Sequence, residues 1–198
     1  MTELPASLRG RVLVAGAGVS GRGCVAMLTS LGVDTTVADS NQAALEALAE
    51  DYGVATVPVD SAAQSEFDLV VTSPGWRPDS PLLVAFQNAG VEVIGDVELA
   101  YRLDRSGVFG APRTWLVVTG TNGKTTTTGM LAKIMQADAA RTHDFELFCL
   151  DEGEGLREFA RWCAERVSDS GRHAGRGGLA RCHPRRSAHR RSSAQVRR

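Results

Sequence analysis

Two short stretches combine glycines with groups able to hold phosphate. The first reads GAGVSG at positions 16–21, straight after the apolar segment RVLVA (11–15) and straight before Cys24, Val25, Met27, Leu28 and Leu31 at helical spacing. The second reads WLVVTGTNGKTTTT at positions 115–128. In both, glycine lets the chain curl at the end of an apolar strand, and the opening turn of the next helix directs free N–H groups into the curl. Main-chain donors at the positive end of a helix suit an anion, phosphate above all. In the second loop Lys124 adds a mobile positive charge over the outer phosphates, and the hydroxyl of Thr125 suits a magnesium ion. Its spacing is GxxGKT, short of the full GxxxxGK[ST] loop because Val118 stands where the first glycine belongs. The plainer alternative is an ordinary strand-to-helix turn with a solvated lysine. The coincidence of Gly120, Gly123, Lys124 and Thr125 at the mouth of a strand argues against it.

The elements that must position these loops can be read from periodicity. After the first helix, Gly32 is a stop signal, residues 34–38 (DTTVA) form a second strand, and Asp39 stands at its carboxyl end, 18 residues beyond Gly21. Strand, glycine turn, helix, strand and terminal acid in this register make a nucleotide-binding βαβ unit, in which the acid accepts hydrogen bonds from a sugar or base. The motif does not specify the nucleotide. A helix in the alanine-rich stretch from Ala43, a strand over 54–59 and a strand over 67–72 come next. The latter ends at Ser73, Pro74 and Gly75, on the edge of the sheet where open α/β folds bind ligands, with Trp76 and Arg77 beside it. Pro81 opens a helix over 81–89, residues 91–94 form a fifth strand, and a helix covers 97–103.

The predicted fold class is therefore α/β. A Rossmann-like parallel sheet occupies residues 1–110, and Gly107, Gly110 and Pro112 mark a boundary. The start of a second, P-loop-type nucleotide-binding unit occupies 111–136, its strand at 115–118 and its helix packed through Met130, Leu131, Ile134 and Met135. Leu156, Phe159, Ala160, Cys163 and Val167 place one amphipathic helix within 137–169. Residues 170–198, with nine arginines and no acid, predict a disordered basic tail.

Composition narrows the function classes. The chain has 198 residues, 43% of them hydrophobic, and a formal charge of −1, which is enough for one domain of ordinary size and part of a second. It has no apolar run of roughly 18 residues and no basic-then-apolar leader, so membrane attachment is not expected and the cytoplasm is the expected location. The four cysteines, Cys24, Cys149, Cys163 and Cys182, have no CxxC spacing and predict free thiols. His143 and Cys149 have no matching ligand pair nearby. The arginines of the tail suit nucleic acid only non-specifically, through phosphate neutralisation. An arginine-rich mixture of this kind is also what an out-of-frame reading of a GC-rich gene yields.

GAGVSGRG, the strand-end Asp39, SPGWRPDSP, GDVEL and TGTNGKTT, in this order across residues 10–136, resemble the Mur ligase family. GTNGKT is common to Mur ligases and folylpolyglutamate synthases, whereas GxGxSG with SPG and GDxEL points to the D-glutamate-adding members. The resemblance implies that the first domain binds the UDP moiety of UDP-N-acetylmuramoyl-L-alanine. Gly18, Val19, Ser20 and Gly21 would lie near the pyrophosphate, Asp39 and Ser40 at the uracil, and Gly75 against the substrate. It assigns Gly120, Thr121, Asn122, Gly123, Lys124, Thr125 and Thr126 to ATP, with Lys124 stabilising the outer phosphates and Thr125 holding Mg2+. The implied reaction is phosphoryl transfer from ATP to the substrate carboxylate, giving an acyl phosphate that the amine of D-glutamate attacks, within peptidoglycan synthesis. Lys124 is the residue of this segment expected to serve catalysis.

Beyond Gln136 the family pattern is absent. The GNIG-like loop, the acid and histidine metal positions, the modified lysine and the D-glutamate-binding domain have no counterpart here. The expectation is a truncated, catalytically incomplete ligase. Two readings from other classes remain: an NAD-dependent oxidoreductase using GAGVSG and Asp39, which leaves the second loop unexplained, and a non-catalytic nucleotide-binding module.

Overall fold

The computed structural model describes residues 4–118, 122–124, 126–131, 133 and 134. Val12–Ala15 (β1) is apolar and buried at every position, as a strand must be when helices cover both faces of its sheet. It lies at the centre. Thr35–Asp39 (β2), Ala55–Pro58 (β3), Leu69–Thr72 (β4) and Glu92–Gly95 (β5) complete a five-stranded, wholly parallel sheet in the order β3-β2-β1-β4-β5. The Rossmann-like sheet expected of the first domain is present.

Alternation along β1 divides the core into two layers. Val12 and Val14 pack with Cys24, Met27 and Leu28 of Val19–Ser30 (α1), Leu45 and Leu48 of Gln42–Tyr52 (α2), and Leu99 and Leu103 of Asp96–Ser106 (α5). Leu13 and Ala15 face the other way, with Ala62 of Val59–Ala62 (α3), Leu82, Leu83 and Phe86 of Pro81–Asn88 (α4), and Phe67. Each fully buried leucine or methionine contributes about 1.5–3 kcal/mol relative to exposure.

Helix ends explain the element lengths. Asn41 caps α2 by accepting the Ala44 N–H at 3.2 Å, and Gly53, at φ 67°, ends it in the left-handed conformation that glycine adopts without strain. The strand expected over 54–59 is shorter than the sequence indicates, because the chain turns into α3 at Val59.

Chain order fixes where the sheet can open a crevice. β1 runs through α1 and α2 to β3 at one edge, and the chain then crosses back to β4 on the other side of β1. Neighbouring carboxyl ends whose connections leave in opposite directions open a crevice between them. Here those ends are β1 and β4.

The structure corrects the expected strand at 115–118. None of these residues pairs with the sheet among the described residues, and Leu116 and Val117 are 55% and 82% exposed. Asp104 is the physical reason. It is buried near the end of α5, accepts the Arg113 N–H and the Trp115 indole N–H at 2.9 Å each, and pairs with the Arg113 guanidinium. Trp115 also packs edge-on against Tyr101, with centroids 5.3 Å apart. The chain through Trp115 is thus fastened to α5. Met130 and Ile134, expected to be packed, are 56% and 65% exposed. The helix and the tail expected after residue 136 lie outside the described residues.

Candidate functional site: the crevice between two strand ends

The glycine turn after β1 is shaped from within the protein. Gly16 has φ 113°, a conformation that favours glycine, and its N–H donates to the Ala38 carbonyl at 2.8 Å. Its own carbonyl lies where a Cβ on Gly21 would fall, so any larger residue at 21 would overlap it. Gly21 is therefore required by close approach within the turn.

Gly18 is different. A Cβ there would meet nothing within 4 Å. Gly18 is the residue before α1, no side chain caps the helix, and no acid stands in its first turn. The N–H groups of Val19, Ser20 and Gly21 have no carbonyl four residues back within the helix, and the positive end of the dipole is unneutralised by the helix itself. Val19 is 45% exposed and Ser20 is buried. The space beside Gly18, at the start of α1, is thus open.

Asp39 stands where the sequence placed it, at the carboxyl end of β2. Its two oxygens accept the Ala17 N–H at 2.6 Å and the Asn41 N–H at 2.8 Å. The carboxylate thus holds the glycine turn to β2 and also braces the start of α2. Each oxygen keeps a second lone pair for a ligand. Ser40 is next in the chain, exposed.

The opposite wall is the turn after β4. Ser73 ties it to β1, since its N–H and its hydroxyl both donate to the Ala15 carbonyl, at 3.1 and 3.2 Å. Trp76 folds back by donating its N–H to Ser73 O at 3.1 Å. Gly75, Trp76, Arg77, Asp79, Ser80 and Pro81 line an open depression of about 510 Å3. Gly75 is exposed, and a Cβ there would meet nothing within 4 Å. The fold brings Gly18, Val19, Ser20, Gly21, Asp39 and Gly75 to one side of the sheet, at or next to the strand ends.

Sequence reasoning missed the bonds of Ser73 and the cap of Asn41. Asn41 carried a readable signal, an N-cap residue type directly before an apolar-periodic stretch. Ser73 carried none, because its partner lies 58 positions away.

Of the second loop, Asn122, Gly123 and Lys124 are described and exposed. Gly123 has φ 77°, Lys124 opens helical chain, and the Thr127 N–H donates to Gly123 O at 2.9 Å. Thr126 lies in that helical chain, exposed. Gly120, Thr121 and Thr125 lie outside the described residues. Among the described residues, no group of three or more His, Cys, Asp or Glu side chains gathers to hold a metal ion.

Cys24 faces the core. Burial, and secondarily the charge of Asp96, push its thiol well above the ordinary range, so it remains a protonated packing group.

Residues 10–95, which hold both walls of the crevice, match the family model "Mur ligase MurD-like, N-terminal domain". That stretch of the chain is similar to the N-terminal domain of Mur ligases. Over 137 residues, the chain is 64% identical to the UDP-N-acetylmuramoylalanine--D-glutamate ligase of Corynebacterium diphtheriae, covering 68% of this chain and 29% of that relative. The enzyme of the same name from Corynebacterium efficiens is 59% identical over 138 residues, with 69% of this chain and 29% of the relative covered. That from Mycobacterium leprae is 54% identical over 159 residues, with 75% and 31% covered. The chain thus spans less than a third of the length of these curated relatives. No helix among the described residues is long and apolar enough to cross a membrane.

Proposed function

We propose that this chain carries the UDP-substrate-binding part of an ATP-dependent ligase that adds D-glutamate to UDP-N-acetylmuramoyl-L-alanine in peptidoglycan synthesis. The observation that carries the proposal is the crevice at the β1/β4 switch point, open where a ligand must approach and closed where the turn packs on itself. Its occurrence in a segment 64% identical to a ligase of that name supports this substrate over a dinucleotide.

In this reading the diphosphate sits on the N–H groups of Val19, Ser20 and Gly21, which neutralise its charge without any lysine. Asp39 and Ser40 meet the uracil, and Gly75 leaves room for the sugar side. The preorganised donors cost no rearrangement on binding.

The second loop is assigned to ATP. Its fit rests on the positive φ of Gly123 and on the helical chain that begins at Lys124, the two features a phosphate loop requires. Lys124 would stabilise the outer phosphates, with Gly120, Thr121, Asn122, Gly123 and Thr126 around them and magnesium at Thr125. ATP bound there supplies the phosphoryl group that activates the substrate carboxylate toward the amine of D-glutamate.

Calorimetry with UDP-N-acetylmuramoyl-L-alanine and, separately, NADH tests the first-domain reading. Saturable binding of the UDP compound and none of NADH is expected. A folded sample that binds NADH and ignores the UDP compound would establish the oxidoreductase reading instead.

A further inference from the structure

The geometry points to Trp76 as a ligand-binding residue whose indole N–H donates a hydrogen bond to the diphosphate of the nucleotide-linked substrate on the 16–21 turn. The inference rests on the UDP-binding reading above and assigns a side-chain donor to a site otherwise built from main chain.

Three observations carry it. The indole nitrogen comes within 3.1 Å of the position a Cβ on Gly16 would take, so the polar atom of the ring faces the glycine turn. The ring is half-buried against the layer containing Leu13 and Ala15, and its backbone is pinned through Ser73 to the end of β1. The ring's backbone is thus anchored to the strand that carries the turn. Finally, the indole nitrogen has no acceptor among the described residues and is not closed off from the surface, so its N–H is open to a ligand. An anionic oxygen in the adjoining crevice supplies the acceptor.

The neighbouring cation does not compete for the role. Arg77 is engaged with Asp79 through two hydrogen bonds of 3.0 and 2.9 Å. A neutral donor on a rigid ring also discriminates by direction, where a mobile cation acts mainly by charge. Trp76 thus selects ligands that carry a phosphate oxygen over Gly16.

The test uses UDP as the probe, on the full chain, with Trp76→Phe. Phenylalanine keeps an aromatic ring at the position and removes only the donor and part of the surface. The wild type is expected to bind UDP, and W76F to bind it about tenfold more weakly, the loss of one hydrogen bond to a charged acceptor. The Trp76 indole N–H resonance, identified as the one missing in W76F, should move on adding UDP and stay in place on adding uridine, which lacks phosphate. If the wild type does not bind UDP, the UDP-binding reading itself fails. If the wild type binds and W76F binds equally well, or the indole resonance ignores UDP, that reading stands and the role of Trp76 is overturned. Should W76F fail to fold, the resonance in the wild type, distinguished from those of Trp115 and Trp162 by their own phenylalanine variants, decides.

Discussion

The Asp39 carboxylate accepts the Ala17 N–H at 2.6 Å, so the end of β2 sets the shape of the turn after β1. Removing it should loosen the turn before it touches any ligand. Asp39→Ala is expected to cost about 1–2 kcal/mol of stability, as when a charged acceptor leaves two main-chain donors. It should also weaken UDP binding. Urea denaturation and calorimetry on the same samples check both; unchanged binding in D39A would mean that the turn holds its form without the acid.

Gly18 and Gly21 should separate folding from binding. Gly21→Ala places a methyl group on the Gly16 carbonyl and should destabilise the domain by more than about 2 kcal/mol. Gly18→Ala meets only open space at φ −73°, so its melting temperature should stay within about 3 °C of the wild type while UDP binding drops at least tenfold. Thermal melts paired with calorimetry distinguish the two. Equal loss of stability in both variants would contradict the assignment of the open side to the ligand.

The buried Asp104 fastens Arg113 and Trp115 to α5. Asp104→Ala leaves these donors unpaired and is expected to cost about 3 kcal/mol. It should also red-shift the emission of Trp115, read with Trp76 and Trp162 replaced by phenylalanine. An unshifted spectrum would show that the Tyr101 contact alone holds the indole.

On the surface, Arg102 hydrogen-bonds to Glu92 and holds its carboxyl below the ordinary value of 4.5. A depressed carboxylate stabilises the fold above its unfolded pKa, and the gain disappears as pH falls through the folded value. The pair is half exposed, so its contribution at neutral pH is about 0.5 kcal/mol. Glu92→Gln should lower stability by that amount at pH 7 and flatten the decline below pH 4.5. Denaturation at a series of pH values checks the slope.

The first domain was legible because its signals are local. GAGVSG comes directly after an apolar strand, Asp39 ends the next one, and SPG ends the fourth, so spacing alone assembled one edge of the sheet. What spacing lacks is register. That Asp39 reaches Ala17 depends on the pairing of Ala15 with Ala38, and that Gly21 must be glycine depends on where the Gly16 carbonyl points. The segment 115–118 misled for a related reason. Its apolar residues read as a buried strand, but Asp104, eleven positions before Trp115, holds the start of that segment on α5. Val59 misled in the same way, since a β-branched residue after a strand does not announce a helix.

The central claim is that the UDP end of a peptidoglycan precursor rests on the main-chain donors of the β1 turn. Backbone amide NMR during a titration with UDP-N-acetylmuramoyl-L-alanine measures this directly. The account predicts that the largest shifts fall on the amides of Val19, Ser20, Gly21 and Gly75. A saturating ligand that leaves those four amides unmoved would contradict it.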